Sequence, residues 1–447
     1  MKCNRSARVR FLVGLRREGA ALYLLYSFAL GLAALMTSPY WLLKGLRERK
    51  YLASFWQRLG LSVTRSPGRP GPVWIHAVSV GEVLAARPLI RALKAARSDL
   101  PLVTSTVTLT GQLLARKELG SSSTVLYFPF DWDFCIRRFI DAIHPRAVVL
   151  METELWPNFL KNCKQKTIPV ILANGRISDR SFARYRRIRS LAAAMMRRLQ
   201  AIGTQTATDR QRFIELGAWP DKVTVTGNLK FDLPAPEVDE GDPLLQDIRS
   251  ALGTGSGNPV VVVGSSMKGE EPIFIHAFEE IRRRVPDAKL ILAPRHPERF
   301  GEVAQLLSAS GLAYRRRSTP RPETQRPCEV LLLDTIGELR RVYSLAWVAV
   351  IGGSFLPFGG HNPLEPAGLG KAIVFGPEMG NFREIARLFV EVEAALQCSA
   401  ESLASAVSHL LCNEGARKRL GQKAFETFRQ NQGATENTLR ILLPYLI

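Results

Sequence analysis

The six cysteines of this 447-residue chain (Cys3, Cys135, Cys163, Cys328, Cys398 and Cys412) form no CxxC pair and no metal-ligand spacing. That weighs against a zinc site and a disulfide framework, and the scattered thiols read as reduced, as in a cytosolic protein. No G-x-x-x-x-G-K-[ST] loop is present, and no G-x-G-x-x-G follows the first expected strand. An ATPase or a Rossmann dehydrogenase therefore loses ground. Acidic residues are in deficit: 40 Asp and Glu stand against 61 Lys and Arg, for a formal net charge of +21. Such an excess attracts nucleic acid, acidic lipid headgroups or phosphorylated substrates. No nucleic-acid recognition motif accompanies it. Much of it comes in short groups, such as Arg184, Arg186, Arg187 and Arg189, Arg197-Arg198, Arg282 to Arg284 and Arg315 to Arg317. Taken singly, each group reads as solvated surface.

What is present is a globular composition, 46% hydrophobic and 23% charged, in a chain long enough for two domains. Residues 1–50 stand apart. Arg5, Arg8, Arg10, Arg16 and Arg17 are followed by an uncharged stretch from Ala20 to Met36. As a helix this stretch reaches about 26 Å, short of a hydrocarbon core of about 30 Å; extension to Leu43 gives about 36 Å. A spanning helix and an interfacial one both remain open. Either holds the protein on a membrane, with its body expected in the cytosol. No signal-peptide cleavage site is evident.

From Pro72 short apolar strands alternate with helical runs: 73–78, 102–106, 125–128, 147–150, 170–172, 201–203 and 223–226. After the proline-rich, acidic stretch Asp232 to Pro243 the alternation resumes at 260–263, 289–293, 330–333, 348–351 and 372–375. Buried β-branched runs between helices predict parallel sheets, hence an α/β chain of two doubly wound, Rossmann-like halves. Ligands in such sheets sit at the carboxyl ends of strands, so the loops there carry the chemistry. The tail from Glu401 reads as helical.

The loop after the first strand, Ser79-Val80-Gly81-Glu82, uses Gly81 for a tight turn. It puts Glu82 in the first turn of a helix, where the dipole is expected to keep a carboxylate ionised. An ionised, cleft-facing Glu82 suits a general base; it is equally a plain helix-start acid. Met151-Glu152-Thr153-Glu154-Leu155-Trp156 ends the fourth strand with two carboxylates beside a tryptophan. Arg176 and Lys230 end later strands as anion ligands. In the second half, Gly264-Ser265-Ser266 has the style of a phosphate turn, and Arg295 follows as an anion ligand. His76 lies within a strand and reads as structural. The glycine-rich stretch Val350 to Pro377 is expected to bring bare backbone N–H groups to a phosphate, with Glu365 placed for a ribose. A glycine loop alone is also a tight αβ turn with a satisfied histidine at 361.

Together HAVSVGE, METELWPN, ANGRIS, GNLKFD, APRHPER, DTIGEL and GGSFLPFGGHNPLEPAGLGKAIVFGP resemble the Kdo (3-deoxy-D-manno-octulosonic acid) transferases of lipopolysaccharide biosynthesis, from about Tyr51 onward. The resemblance implies a GT-B glycosyltransferase. Residues 1–50 would be the membrane anchor, 51–235 the domain for a lipid A precursor, and 236–447 the CMP-Kdo domain with the terminal helices. By motif position it implies that Glu82 accepts the proton in an inverting attack and that Glu152 and Lys230 stabilise the transition state. It implies CMP contacts from Pro294, Arg295, Ile336, Gly337, Glu338, Asn362, Pro363, Leu364 and Glu365. Cofactor and metal are not expected. The segment Gly264 to Glu271 departs from the family pattern at Ser266 and Met267. Rivals are a GT-B enzyme for another sugar nucleotide, separable by CMP and UDP competition, and a non-catalytic binder of anionic lipid. The residues leave open how many Kdo units are added and whether Glu152 or Glu154 faces the donor.

Overall fold

A computed structural model describes residues 23, 25–38, 50–63, 71–232, 239, 241–255, 257–319 and 326–446, with the side chains of 50–53 excepted. The chain forms two compact units, Met1–Leu233 with Gln432–Ile447, and Pro234–Asn431.

The first unit is built on β1 (Val73–His76), β2 (Leu102–Thr106), β3 (Thr124–Tyr127), β4 (Ala147–Met151), β5 (Val170–Gly175), β6 (Ala201–Thr204) and β7 (Val223–Val225). They form one sheet in the order β3-β2-β1-β4-β5-β6-β7, every neighbouring pair parallel. Period-two alternation supplies both faces. Trp74, Val148 and Leu150 pack with Phe139 and Phe159 on one side. Val73, Ile75, Val149 and Met151 meet Leu89 and Ile90 on the other. The central strands are buried throughout, which explains their unbroken apolar runs. His76 is structural as expected: it is fully buried, with Nδ1 3.0 Å from the Ser105 hydroxyl and its ring stacked on Phe128.

The second unit contains β8 (Val260–Ser266), β9 (Lys289–Pro294), β10 (Tyr314–Arg316), β11 (Val330–Leu332), β12 (Val348–Ile351), β13 (Ala372–Phe375) and β14 (Leu396–Gln397). The order is β10-β11-β9-β8-β12-β13-β14, again parallel. The short edge strands β10 and β14 were not expected from sequence. One is Tyr-Arg-Arg and the other two exposed residues, so neither carries a buried apolar run.

The tail is helical at Leu403–Cys412, Glu414–Gln430 and Ala434–Leu442. Its last part departs from the expected 236–447 domain by returning to the first unit. The helix Ala434–Leu442 packs on the helix Val80–Ala96, and Leu442 and Leu446 are fully buried there. Each such leucine contributes roughly 1.5–3 kcal/mol. Asp232 fixes the join by accepting from the Gly433 N–H at 2.7 Å and from the Thr435 N–H.

The anchor expected over 1–50 lies mostly outside the described residues. Residues 25–38 are helical, a length of about 21 Å. Among the described residues no helix is long and apolar enough to cross a membrane. One face of this segment meets the first unit, through Ser27 (2.9 Å from Asn158 Nδ2), Tyr26 on Asp131, and Tyr23 under Arg198. The other leaves Leu25, Phe28, Leu32, Leu35 and Met36 exposed.

Candidate active site

In both sheets the chain runs outward in opposite directions from a central pair, β1/β4 in the first unit and β8/β12 in the second. The crevice at the carboxyl ends of such a pair is where open α/β sheets bind ligands.

At β1/β4 the structure gathers the three residues expected to be catalytic. Glu82 lies in the first turn of the helix after β1, only 8% exposed. Its Oε2 accepts from the Val78 N–H at 2.9 Å and its Oε1 from the Ser79 hydroxyl at 3.1 Å. Glu152, just past β4, holds a left-handed backbone with φ 54°. Such strain persists only where surroundings over-determine it. Its N–H is tied to the Ala173 carbonyl at 2.9 Å, and the Thr153 hydroxyl donates to the Arg176 carbonyl. Lys230 Nζ stands 3.2 Å from Glu152 Oε1. The turn carrying Lys230 is set by Asn174, also left-handed, whose Oδ1 accepts from the Leu229 N–H at 3.0 Å. Asn174 was legible only as part of a motif; its positioning role needed the fold. The two acids after β4 have different partners. Glu152 takes Lys230, whereas Glu154 accepts from Trp156 Nε1 at 3.2 Å.

The expectation that the helix dipole keeps Glu82 ionised is corrected. Burial first, and then the charges of Glu152 and Glu154, push its carboxyl up to about 8; the Val78 N–H and the Ser79 hydroxyl offset this only in part. A base with a pKa near the working pH is better matched to proton transfer than a fully ionised one. Gly81 is not a turn glycine either. It lies inside the helix, and an added Cβ would meet nothing nearer than the Ser79 hydroxyl at 4.0 Å. Arg176 is partly buried beside this group, and Arg180, Arg184, Arg186 and Arg187 project outward from the next helix.

At β8/β12 the glycine-rich stretch behaves differently from expectation. The Gly353 and Phe355 N–H groups donate to Glu270, that of Gly360 to the Gly353 carbonyl, and that of His361 to the Gly352 carbonyl. Asn362 Oδ1 caps the Leu364 N–H at 3.0 Å. These donors are therefore engaged within the unit. The glycines serve close packing: a Cβ at Gly352 would lie 2.5 Å from the Ser265 carbonyl oxygen, and one at Gly360 2.3 Å from Met379 Sδ. Ser266 is likewise turned inward, donating to Glu271 at 2.9 Å.

The side chains expected to meet a donor lie just past β9, β11 and β12. Arg295 is exposed just past β9, with the buried Pro294 behind it. Among the described residues His361 Nε2 is buried without a hydrogen-bond partner, and burial, then Arg295 and His296, lower the ring to about 4, leaving it neutral at neutral pH. Glu365 is raised by burial and drawn back by Arg340, Asn362 and Arg295. After β11, Ile336 is 73% exposed, Gly337 has φ 90° with open space around it, and Glu338 lies 3.3 Å from Arg317 Nε. Pro363 and Leu364 are buried. Among the described residues no His, Cys, Asp and Glu group fit to hold a metal ion occurs.

Residues 53–233 match the family model described as 3-deoxy-D-manno-octulosonic-acid transferase (kdotransferase). The chain is 37% identical to the 3-deoxy-D-manno-octulosonic acid transferase of Haemophilus influenzae, covering 90% of this chain and 93% of that one. The chain belongs to the Kdo transferase family. A second member, from Bordetella pertussis, is 33% identical over 94% of this chain and 99% of its own. As a Kdo transferase the chain is a glycosyltransferase. Solved structures agree on fold alone. A Rickettsia africae glycosyltransferase matches at TM-score 0.56 and 15% identity, over 84% of this chain and 98% of its own. A Neisseria meningitidis UDP-GlcNAc 2-epimerase matches at TM-score 0.56 and 13% identity, over 83% of this chain and 100% of its own. Two Rossmann-like units are what the GT-B expectation required.

Proposed function

We propose that this transferase moves Kdo from CMP-Kdo to a lipid A precursor with inversion, in lipopolysaccharide biosynthesis. The observation that carries the reading is the buried Glu82, raised to about 8 beside Glu152 and Glu154. In the step, an acceptor hydroxyl oxygen bonds to the Kdo anomeric carbon and gives its proton to Glu82. The bond from that carbon to the CMP phosphate oxygen breaks, and CMP leaves with the electron pair. The Glu152–Lys230 pair, 3.2 Å apart, supplies fixed charges of both signs beside the base. Such a pair answers positive charge developing on the sugar and negative charge on its carboxylate or on the leaving phosphate. No nucleophilic side chain is required, because the phosphate ester is already a leaving group.

CMP contacts fall to Pro294, Arg295, Ile336, Gly337, Glu338, Asn362, Pro363, Leu364 and Glu365. Arg295 offers the charge for phosphate and Ile336 an apolar surface for the base. The first unit takes the acceptor, whose phosphates suit the arginines at 176, 180, 184, 186 and 187. Exposed Leu25, Phe28, Leu32, Leu35 and Met36 support a place on the cytosolic face of the inner membrane.

Detergent-solubilised protein, CMP-Kdo and a tetraacylated lipid A precursor, read by mass spectrometry, test the reading. Addition of one or more Kdo masses by wild type and not by Glu82→Ala is expected, with inhibition by CMP and not by UDP. Absence of any mass gain beside a working control enzyme would remove this donor and acceptor.

A further inference from the structure

Glu270 is fully buried, and among the described residues it forms no ion pair. Three backbone N–H groups converge on it instead. Oε2 accepts from Met267 at 2.9 Å and from Gly353 at 2.6 Å, while Oε1 accepts from Phe355 at 3.0 Å. Met267 lies on the loop after β8; Gly353 and Phe355 lie on the loop after β12. These strands are direct neighbours. One carboxylate thus ties together the two loops that flank the crevice of the second unit. Its sequence neighbour Glu271 does something else, taking Arg299 through both oxygens at 2.6 and 3.0 Å.

The clamped turn has little freedom to move alone. The Gly353 carbonyl holds the Gly360 N–H at 2.6 Å, and the Gly352 carbonyl holds that of His361 at 3.2 Å. A Cβ at Gly353 would sit 2.8 Å from the His361 ring, so the two stretches are in close contact. Displacement of the 352–355 turn therefore carries His361 and Asn362 with it, and Asn362 caps the short helix that bears Glu365.

We propose that Glu270 is a positioning residue for the donor: its carboxylate clamps the 352–355 turn to the loop after β8 and so sets residues 361–365. The proposal rests on the reading that these residues meet CMP-Kdo. The chemistry requires a carboxylate. An ionised carboxylate only accepts, and here both oxygens face donors. A glutamine of the same shape would turn its NH2 toward at least one backbone N–H, leaving a buried donor unpaired.

Glu270→Gln in the full-length protein is the test, with Glu270→Asp, which keeps the charge but shortens the reach, used if the glutamine form does not fold. Amide hydrogen exchange over 352–362 should quicken relative to wild type, with no donor present. The KM for CMP-Kdo and the Kd for CMP should rise by about 10- to 100-fold, the size expected for losing hydrogen bonds to an ionised group. The acceptor KM should not change. Unchanged exchange overturns the clamp. Faster exchange with unchanged donor KM and CMP Kd overturns the positioning role, as does an equal rise in both substrates' KM. A wild-type protein that neither binds CMP nor transfers Kdo would instead sink the donor reading, while exchange still judges the clamp.

Discussion

The two crevices carry the same kind of residue and treat it oppositely. In the first unit Glu82, Glu152 and Glu154 crowd one another, with Lys230 opposite Glu152. In the second, Glu270 is saturated by three N–H groups and Glu271 by Arg299 and Ser266. Burial alone therefore does not mark a reactive carboxylate. Burial and Glu271 raise Glu270 as well, but three N–H groups pull it back; Glu82 has two like charges beside it and only two donors, which leaves a proton to exchange. Glu270 and Glu271 are buried with their acceptors filled, which makes them braces for the backbone.

The sharpest way to break this contrast is to neutralise one member of each site. Glu82→Gln should lower kcat by about 10²- to 10⁴-fold, the usual worth of a general base. Thermal unfolding should not suffer, since the cost of holding Glu82 protonated below about 8 is removed. Steady-state assays and calorimetry on the same preparation check both halves. In the second unit Arg299→Ala should act on stability. It strands the fully buried Glu271 carboxylate, a loss of about 3–5 kcal/mol, to be read from urea unfolding. Full activity loss with unchanged stability in Arg299→Ala would reverse the assignment.

Much of this was legible in the sequence. Ten-odd apolar runs gave the strands because parallel sheets bury both faces, and the loops after them held the polar residues. Glu82, Glu152 and Lys230, far apart in the chain, do meet at β1/β4. Three things were not legible. The tail's return to the first unit depends on which surface Leu442 and Leu446 find, and a periodic helix does not name its partner. The state of Glu82 depends on Glu152 and Glu154, which a local dipole argument cannot include. Glu270 sat in a segment noticed only for its neighbours Ser266 and Met267, because a surface acid and a buried acceptor look alike in sequence. The glycines at 352, 353 and 360 pointed to close backbone approach; the approach is to the protein's own chain.

A smaller effect sharpens the first crevice. Lys230→Ala removes the positive charge facing Glu152, and kcat/KM should fall by about 10²- to 10³-fold, consistent with loss of one preorganised charge. The uncompensated Glu152 charge then acts more strongly on Glu82, whose carboxyl already lies at about 8. The pH at which kcat/KM rises to its plateau should therefore move upward from about 8. A profile that keeps its midpoint while losing amplitude would mean that Lys230 acts on substrate without tuning the base.

The most gradual effect is on stability, and it tests the crowding directly. Glu82 is raised from 4.5 to about 8 on folding. Between those values the unfolded chain has released this proton and the folded chain retains it. Rising pH therefore favours unfolding, by at most about 1.4 kcal/mol per pH unit from one group. The slope should flatten below 4.5, where both states are protonated, and above about 8, where both are ionised. Every other titrating group contributes to the wild-type curve, but the difference between wild type and Glu82→Gln isolates this one. Urea midpoints from pH 5 to 8 should show wild type losing stability relative to Glu82→Gln as pH rises. Parallel curves would mean that Glu82 is already ionised in the folded protein. Its crevice would then hold no shifted base, and charge crowding could not be what separates it from the crevice of Glu270.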